Sequence, residues 1–481
     1  MIRLWILCAV LSIANQNQGQ SNLSQKLNGI IDNNAFEYAT VGLSVKTLDG
    51  ENVVDINADK KLIPASSLKL VTTFLALKEF GKDYTFTTHI GYNGKIDRAG
   101  TLQGDIIIIG SGDPTFGSSR YGEGNSWKNT LTKVVDSIKK AGITCVDGKI
   151  EVKTHVFQGQ AICPSWPYSD IANYYGSGAW GLNFNENKYN LYFSANVPEG
   201  DIATLDYISP EIPNMHLRSE VVIKGPKTGD NAYIYGDPFH YSKIIRGSIP
   251  YSKSQFVIKG AIPNPPLSFA FILEKELERA GIKSNGSNTS KTSIKKSEFS
   301  SLISFKSPPL YRIIQEANYE SINLYCEALL RKLGWKSKKD GSFEAGLEFV
   351  EDQLTDMGIP ENSFNINDGS GLSPRNTLTP HSFTSFINAV YLEWGSETMM
   401  KYIPHVGVSG TVRNLMNKKS GQKKFYLKSG SIGGVLTYTG LFQSKSGKEY
   451  SICFMSNNHS KGNRRVRIQA EKILQLLYNQ L

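Results

Sequence analysis

The stretch KLIPASSLKLVTTF, residues 61–74, places two serines at the start of an apolar run with helical spacing. Pro64 cannot donate a helical hydrogen bond, and the apolar periodicity begins directly after the serines and ends at Gly81. The pattern predicts an amphipathic helix over residues 67–80, with Ser66 at or near its N-terminus. Backbone N–H groups point outward at such a terminus, and the helix dipole favours developing negative charge there.

Lys69 follows Ser66 by one helical turn and projects from the same face of the predicted helix. A serine hydroxyl needs a base to act as a nucleophile, and a lysine can be that base if burial and a nearby cation lower its pKa. Ser-x-x-Lys also occurs at 137–140, 293–296 and 420–423, and helix capping by either serine is the simpler interpretation of this segment alone. A nucleophile and its base therefore require a second cation and a polar relay elsewhere.

Lys428 in the strand-like segment KFYLKSGSI is the candidate cation. Lys-Ser-Gly recurs at 419–421 in a charged loop and at 445–447 in a predicted hairpin turn, but neither copy lies in a strand. Gly430 would let a substrate backbone approach closely. The N–H of Ser431 could then pair with the N–H of Ser66 as an oxyanion hole.

Ser321-Ile322-Asn323 is the candidate relay, because it interrupts two helical patterns as a helix–turn–helix corner would. Ser-x-Asn also occurs at 363–365 and 456–458, so the triplet alone carries little information. At this corner a hydroxyl and a carboxamide could face the Ser66 helix. Helix capping is an equally good explanation of the triplet by itself.

The rest of the chain predicts one α/β domain split in sequence by a long β-rich insertion. A strand pair is expected on either side of Asp49-Gly50, and helical patterns, three strand-like segments and a last helix follow residue 308. The polar tract 283–301 is predicted to be a loop or linker. The apolar stripe of the last helix is expected to pack on the sheet rather than on a membrane surface, since its basic face is weak.

The N-terminal residues MIRLWILCAVLSIANQNQGQ have a cationic start and a short apolar core followed by polar residues. This is typical of a secretory signal peptide, because the apolar run is far shorter than the roughly 20 residues of a spanning helix. We expect residues 1–20 to be removed and the mature protein to be exported, soluble or peripherally attached. No later segment is apolar and long enough to cross a bilayer.

The composition excludes several classes of protein. With 481 residues, 40% hydrophobic and 20% charged, the chain is typical of a globular protein of two or three domains. The formal charge of +10 predicts a solvated basic surface, although an anionic envelope polymer would also suit it. No basic block interleaved with aromatics indicates a nucleic-acid partner. The seven histidines form no HExxH or comparable cluster, so no metal site is expected.

Four cysteines follow the predicted signal peptide, and their spacing matches no zinc motif. Cys145 and Cys163 are close enough in sequence to pair, and the sequence leaves open whether they do. Cys326 in a helical pattern and Cys453 in a strand pattern are interpreted as small buried apolar residues.

Taken in order, Ser66–Lys69, Ser321–Asn323 and Lys428–Gly430 form the active-serine signature of penicillin-binding proteins and serine β-lactamases. The chain resembles the D-alanyl-D-alanine carboxypeptidase/endopeptidase family of low-molecular-mass class C penicillin-binding proteins, peptidase family S13. Four further segments carry the resemblance: GSGDPTF (110–116), DGSGLSPRNTLTP (368–380), VGVSGTVRNLM (406–416) and KSGSIGGVLTYTGLF (428–442).

The resemblance implies an α/β (α+β) fold. Its core would be a transpeptidase domain like that of penicillin-binding proteins and serine β-lactamases, with a five-stranded antiparallel sheet flanked by helices. The β-rich insertion would form two nested accessory domains. The implied boundaries are 21–90 with 300–481 for the catalytic domain, 91–182 with 262–299 for accessory domain II, and 183–261 for accessory domain III.

The resemblance also implies roles for individual residues. Ser66 would attack the penultimate D-alanine carbonyl of a peptide and form an acyl-enzyme, while Lys69 takes its proton. Ser321 would relay a proton to the leaving amine, and Asn323 would hold the substrate amide. Water would then release the shortened peptide.

Lys428 would keep Lys69 neutral and, with Ser429, bind the terminal carboxylate of the substrate. The loop from Asp368 to Ser373, including Ser370, would shape the rim of the site, although a purely structural tight turn explains its sequence equally well. No cofactor is implied.

The implied protein is a serine-type D-Ala-D-Ala carboxypeptidase, with possible DD-endopeptidase activity on cross-links. It would act on peptidoglycan stem peptides in the periplasm or cell envelope, and β-lactams would acylate it. Two alternatives remain at this point: a serine β-lactamase, and a non-catalytic envelope-binding protein on the same fold. The sequence does not determine the oligomeric state or the role of the accessory domains.

Overall fold

The computed structural model describes residues 22–481, so the predicted signal peptide lies outside the described residues. The helices of this part of the chain, in order, are α1 (22–31), α2 (Lys69–Phe80), α3 (Trp127–Lys140), α4 (Tyr168–Ile171), α5 (Pro265–Arg279), α6 (Leu310–Tyr319), α7 (Asn323–Lys338), α8 (Phe343–Asp356), α9 (Pro380–Met400) and α10 (Asn463–Gln480).

The strands are β1 (Thr40–Thr47), β2 (Asn52–Ile56), β3 (Thr87–Tyr92), β4 (Lys95–Ile96), β5 (Thr101–Gln103), β6 (Ile106–Ile109), β7 (Cys145–Val146), β8 (Ile150–Lys153), β9 (Lys188–Ser194), β10 (Thr204–Ser209), β11 (His216–Lys224), β12 (Tyr233–Tyr235), β13 (Ser242–Pro250), β14 (Phe256–Ala261), β15 (Ser287–Ser290), β16 (Ser300–Lys306), β17 (Phe364–Asn365), β18 (Thr377–Leu378), β19 (Phe425–Ile432), β20 (Val435–Gln443) and β21 (Glu449–Asn457).

The described residues form two compact units. The first contains the described chain up to Leu75, together with Ile314–Ser321 and Val350–Leu481. Its main sheet has the order β19-β20-β21-β1-β2, and every neighbouring pair is antiparallel. The predicted five-stranded antiparallel sheet is therefore confirmed, as is the strand pair on either side of Asp49-Gly50.

Helices cover both faces of this sheet, because successive side chains of a strand point to opposite faces. Leu43 and Val45 of β1 are fully buried in an apolar core that also contains residues of α1 and α10. Ser44, between them, faces the other way, and its Oγ lies 2.9 Å from Oγ1 of Thr384 in α9. The predicted flanking helices are confirmed on each side.

The C-terminal helix α10 packs on the sheet as predicted. The apolar side chains on one of its faces are buried in the same core as β1, β20 and β21: Val466, Ala470, Ile473, Leu474 and Leu477. Burial of this stripe removes the surface that membrane attachment would use. Among residues 22–481, no helix combines the length and the apolar character needed to cross a bilayer.

The second unit contains Ala76–Ile313 and Ile322–Phe349. It has a five-stranded sheet in the order β15-β8-β6-β3-β16 and three three-stranded sheets, β4-β5-β7, β10-β9-β14 and β11-β13-β12. This unit includes α7 and other residues that the sequence analysis assigned to the catalytic domain. The domain boundaries implied by the family resemblance stay a prediction.

The interpretation of residues 283–301 as a loop or linker is wrong. Ser287–Ser290 forms β15, which pairs in parallel with β8, and Ser300 begins β16, which pairs with β3. Both strands are the edges of their sheet; β15 consists of Ser, Asn and Thr, and only Ser300 and Ser301 of β16 fall within the tract. An edge strand is solvated along one side, so it does not need the apolar alternation from which strands are predicted.

None of the four cysteines in the described part of the chain forms a disulfide, so Cys145 and Cys163 do not pair with each other. Cys326 and Cys453 are fully buried, in a helix and a strand respectively, which confirms their predicted packing role. Burial raises the pKa of the Cys453 thiol to about 12, and this makes its reactive thiolate form inaccessible at neutral pH.

Candidate active site

Ser66 lies in a short 3₁₀ turn, Ala65–Leu68, directly before an α-helix, which agrees with its predicted position at or near the helix N-terminus. The α-helix α2 begins only at Lys69. Ala65, immediately before Ser66, has φ of +44°, a left-handed conformation that costs a non-glycine residue about 1–2 kcal/mol. This conformation persists only if the surroundings impose it, and such strain often occurs at functional sites.

The two neighbouring serines have different partners, and neither caps the helix with its side chain. Ser67 is fully buried, and its Oγ bonds to Oγ1 of Thr437 at 2.7 Å and to the carbonyl oxygen of Lys428 at 3.3 Å. Ser66 is partly exposed, and its Oγ lies 3.0 Å from Nζ of Lys69. Ser67 therefore anchors the turn to the sheet, while the hydroxyl of Ser66 is presented to the lysine.

Lys69 is fully buried, and its Nζ also donates to the carbonyl oxygen of Ser370 at 2.7 Å. A buried ammonium or amine group requires such partners, because desolvation without hydrogen bonds is costly. The side chain is therefore fixed with Nζ between the nucleophile candidate and a backbone carbonyl of the 368–373 loop.

The 368–373 loop is folded around the carboxylate of Asp368. This carboxylate accepts hydrogen bonds from the backbone N–H groups of Gly371 at 2.7 Å and Ser373 at 2.6 Å, and from Nδ2 of Asn376 at 2.8 Å. Asp368 and Ser370 are both fully buried, and their predicted role in shaping the rim of the site stays a prediction. The sequence could not show this burial, since Asp and Ser are usually exposed. The loop is a tight turn whose backbone, through Ser370, contacts Lys69.

Gly371 brings this loop against Ala65, the strained residue of the 3₁₀ turn Ala65–Leu68. We call this turn, with Pro64 before it, the nucleophile turn. Its φ is +81°, and a Cβ atom added to it would lie only 1.9 Å from the carbonyl oxygen of Ala65. No side chain fits there, so glycine is required both by the backbone conformation and by the close approach.

Ser321 occupies the break between α6 and α7 with φ of +58°. Its Oγ accepts a hydrogen bond from Nζ of Lys428 at 3.0 Å, and the same Nζ donates to the carbonyl oxygen of Ser429 at 2.8 Å. Lys428 is fully buried. Two buried lysines thus each contact a candidate hydroxyl, Lys69 on Ser66 and Lys428 on Ser321.

Tyr319, shortly before Ser321, helps to hold the end of α6. Its hydroxyl donates to the carbonyl oxygen of Lys401 at 3.2 Å, and burial raises the pKa of this phenol above its usual range.

Asn323 begins α7 and belongs to the second unit, where its Nδ2 donates to the carbonyl oxygen of Tyr175 at 2.9 Å. Its role toward a substrate stays a prediction from the sequence.

The structure gives a packing reason for a glycine at position 430. The predicted close approach of a substrate backbone to Gly430 stays a prediction. A Cβ atom there would lie 2.6 Å from the carbonyl oxygen of Pro64 and 2.8 Å from the backbone nitrogen of Ser66. The nucleophile turn fills the space beside the Cα of Gly430. A glycine at this position therefore allows β19 to pack closely against that turn.

The neighbours of Gly430 on β19 are held by other side chains. Oγ of Ser429 lies 2.7 Å from Oγ1 of Thr411, and Oγ of Ser431 accepts from Nδ2 of Asn463 at 2.6 Å. Ser431 is exposed, as expected for a residue near the end of a strand.

Sequence reasoning missed Thr437, which is fully buried beneath the nucleophile turn. Its hydroxyl donates to the carbonyl oxygen of Pro64 at 2.9 Å and contacts Ser67. Thr437 is the cross-strand partner of Gly430 in the β19–β20 pair. If residues are paired outward from the Gly433-Gly434 turn, Gly430 falls opposite Thr437. A threonine opposite the glycine of the Lys-Ser-Gly triplet was therefore the available signal.

A sequence model of the D-Ala-D-Ala carboxypeptidase 3 (S13) family matches residues 23–477. The chain belongs to this family. The resemblance inferred from the three short motifs is therefore confirmed.

Individual S13 relatives agree in extent and fold. D-alanyl-D-alanine carboxypeptidase DacB of Haemophilus influenzae is 23% identical over 475 residues, covering 97% of this chain and 94% of that protein. The crystal structure of penicillin binding protein 4 (dacB) from H. influenzae matches with a TM-score of 0.81 at 22% identity, covering 94% of this chain and 99% of that one. A structure of the same protein complexed with a β-lactam matches with a TM-score of 0.75 at 21% identity, over 94% and 99% of the two chains. The S13 fold extends over nearly the whole chain.

The contact of Gly371 with the nucleophile turn predicts an unequal response to two glycine substitutions. Gly371 and Gly358 have nearly the same φ, +81° and +78°, but a Cβ at Gly358 would meet no atom within 4 Å. Both Gly→Ala variants should lose about 1–2 kcal/mol of unfolding free energy from the left-handed backbone. Gly371→Ala should lose roughly 2 kcal/mol more, because the clash with Ala65 forces the backbone to shift. Urea unfolding of the two variants measures the difference, and equal losses would show that the loop can move away at no cost.

Proposed function

We propose that this protein is a serine-type D-alanyl-D-alanine carboxypeptidase that trims peptidoglycan stem peptides through an acyl-enzyme on Ser66. The observation that carries the proposal is the 3.0 Å contact between Oγ of Ser66 and Nζ of the buried Lys69 in a chain of the S13 family. Ser66 is partly exposed, as a nucleophile must be, while its partner is shielded from water.

In the acylation step, Nζ of neutral Lys69 takes the hydroxyl proton of Ser66 while Oγ attacks the carbonyl carbon of the penultimate D-alanine. The carbonyl oxygen then becomes an oxyanion. Two backbone N–H groups, of Ser66 and Ser431, stabilise this charge, which exists only in the transition state and the tetrahedral intermediate. The packing of Gly430 against the Ser66 nitrogen supports this pairing, since it brings the two peptide segments into contact.

In the second half of acylation, the bond between the two D-alanines breaks and its electron pair goes to the leaving amine. Ser321 gives its hydroxyl proton to that amine and is reprotonated from Lys69, so the relay returns to its starting state. Lys428 and Ser429 bind the terminal carboxylate of the leaving D-alanine, and Asn323 holds the substrate amide. The 3.0 Å contact between Lys428 and Ser321 supports placing cation and relay together.

Deacylation repeats the chemistry with water as the nucleophile. Lys69 takes a proton from water, whose oxygen attacks the ester carbonyl of the acyl-enzyme, and Oγ of Ser66 leaves with that proton. The products are the shortened stem peptide and free D-alanine. A β-lactam presents a strained amide to the same nucleophile, and its leaving nitrogen stays tethered, so its acyl-enzyme is expected to be long-lived.

We also propose DD-endopeptidase activity on D-alanyl cross-links, in which the leaving amine belongs to a second stem peptide. Peptidoglycan lies outside the cytoplasm, and the predicted signal peptide at residues 1–20 agrees with an exported, periplasmic or envelope-associated enzyme. The positive net charge is compatible with an anionic wall polymer.

Nucleophilic attack by Ser66 predicts covalent labelling by a fluorescent penicillin. The wild type should gain one penicilloyl adduct, visible in a gel and as a mass shift of the intact protein, whereas Ser66→Ala should remain unlabelled. Ser67→Ala is the matched control, because Ser67 is buried and bonded to Thr437, and it should still be labelled. Labelling of Ser66→Ala at the wild-type level would remove Ser66 as the nucleophile. An unlabelled wild type would instead support a non-catalytic binding protein.

The role of Lys69 as base predicts a large loss of acylation rate in Lys69→Ala. Loss of a general base costs about 10²-fold or more, because the serine hydroxyl is then poorly activated at neutral pH. Stopped-flow acylation by a chromogenic cephalosporin measures the rate, and circular dichroism shows whether the variant is folded. Near-normal acylation of a folded Lys69→Ala protein contradicts the assignment.

Defined muropeptides separate the peptidase from a serine β-lactamase. A monomeric pentapeptide should lose its terminal D-alanine, and a D-alanyl cross-linked dimer should be cut into monomers, both dependent on Ser66. Mass spectrometry identifies each product. Rapid hydrolysis of penicillin without any muropeptide product would favour the β-lactamase, and cleavage of the pentapeptide alone would remove the endopeptidase activity.

A further inference from the structure

The segment Ser456–Asn463, which joins β21 to α10, holds two parts of the candidate site at once. Sequence reasoning used Ser456–Asn458 only as an example of an uninformative Ser-x-Asn copy. In the structure, the side chain of Asn457 forms two hydrogen bonds with the backbone of Ile63: its Oδ1 accepts from the N–H at 2.7 Å and its Nδ2 donates to the carbonyl at 3.2 Å. This fixes the chain shortly before Ser66. We call residues 456–463 the clamp segment.

The clamp segment also holds the end of β19 through a directional chain of hydrogen bonds. Nδ2 of Asn463 donates to Oγ of Ser431 at 2.6 Å, so its Oδ1 accepts from Nε2 of His459 at 2.5 Å. Nε2 therefore carries a hydrogen, and Nδ1 lies 3.1 Å from Oγ of Ser456. His459 is buried and the proposed mechanism does not use it.

The backbone of His459 adds a second tie to the same hairpin. Its N–H donates to the carbonyl oxygen of Gly434, in the turn between β19 and β20, at 3.2 Å. Ser431 is exposed and lies next to the last residue of β19, where strands fray most readily. Tethering both the turn and the Ser431 side chain restricts this motion.

We propose that His459 and Asn463 are positioning residues that hold the backbone N–H of Ser431 in place to stabilise the oxyanion formed at Ser66. This inference rests on the proposed function and extends it to side chains outside the three motifs. An oxyanion hole requires donors within about 2.7–3.1 Å of the oxyanion, so a small displacement of the Ser431 peptide should slow the chemical step. Substrate binding should change little, because the oxyanion is absent from the ground state.

A double-mutant cycle between Asn463 and Ser431 tests the inference. The variants are Asn463→Ala, Ser431→Ala and the double variant, and Asn479→Ala near the exposed end of α10 is the matched control. Each has its first-order acylation rate and apparent dissociation constant for penicillin measured at a temperature where circular dichroism shows it folded. We expect each single variant to acylate about 10-fold more slowly with a nearly unchanged dissociation constant, and the double variant to be no slower than either. The control should match the wild type.

Non-additivity shows that the two side chains act through one hydrogen bond, since independent effects add. A slower acylation rate at an unchanged dissociation constant, in folded variants, is the readout that a merely structural tie would not produce. Additive losses, losses confined to the dissociation constant, or no loss would each overturn the inference. If the wild type itself fails to acylate, the proposed function fails first, so the two failures are distinguishable.

The direction of the hydrogen bond from Nε2 of His459 to Oδ1 of Asn463 allows a second comparison, between two variants of His459. His459→Gln keeps an N–H that can donate to Asn463, whereas His459→Leu removes it at similar volume. Acylation by the Gln variant should be at least several-fold faster than by the Leu variant when both are folded. Equal rates would remove His459 from the chain of positioning residues.

Discussion

The candidate site depends on a backbone contact on each side of the nucleophile turn. The carbonyl oxygen of Ala65 approaches Gly371, and the Pro64 carbonyl and Ser66 nitrogen approach Gly430, in each case closer than any side chain would permit. Held between these two glycines, Ala65 keeps a left-handed conformation that it would not adopt alone. Because peptide groups are stiff, this confinement determines where the hydroxyl of Ser66 can point.

Two buried lysines set the electrostatics around this turn. Taking an ion out of water costs several kcal/mol even after relaxation, so each Nζ must be compensated by acceptors. Nζ of Lys69 donates to the carbonyl oxygen of Ser370, and Nζ of Lys428 donates to that of Ser429. The carboxylate of Asp368 acts one step away, since it folds the loop that presents Ser370. Backbone carbonyl oxygens thus help to orient both lysines beside the two candidate hydroxyl groups.

The sequence predicted several residues of the candidate site. Other features of the site and of the fold were not predicted, for physical reasons. Ser66, Lys69, Ser321 and Lys428 were singled out because three short motifs, each weak alone, occur in the order of the active-serine signature. Thr437 lies outside these motifs, and only the strand register counted from the Gly433-Gly434 turn points to it. Burial of Asp368 was missed because hydrogen bonding overrode the usual preference of a carboxylate for water. The edge strand β15 lacked the apolar alternation from which strands are recognised.

The absence of a disulfide among the four cysteines of residues 22–481 has a consequence for how the protein can be handled. No covalent cross-link contributes to the fold of the described chain, so its stability is that of packing and hydrogen bonding alone. Reductants should leave the folded state intact, and correct folding should not require an oxidising compartment or an isomerase. Residues 22–481 can accordingly be expressed in an ordinary bacterial cytoplasm.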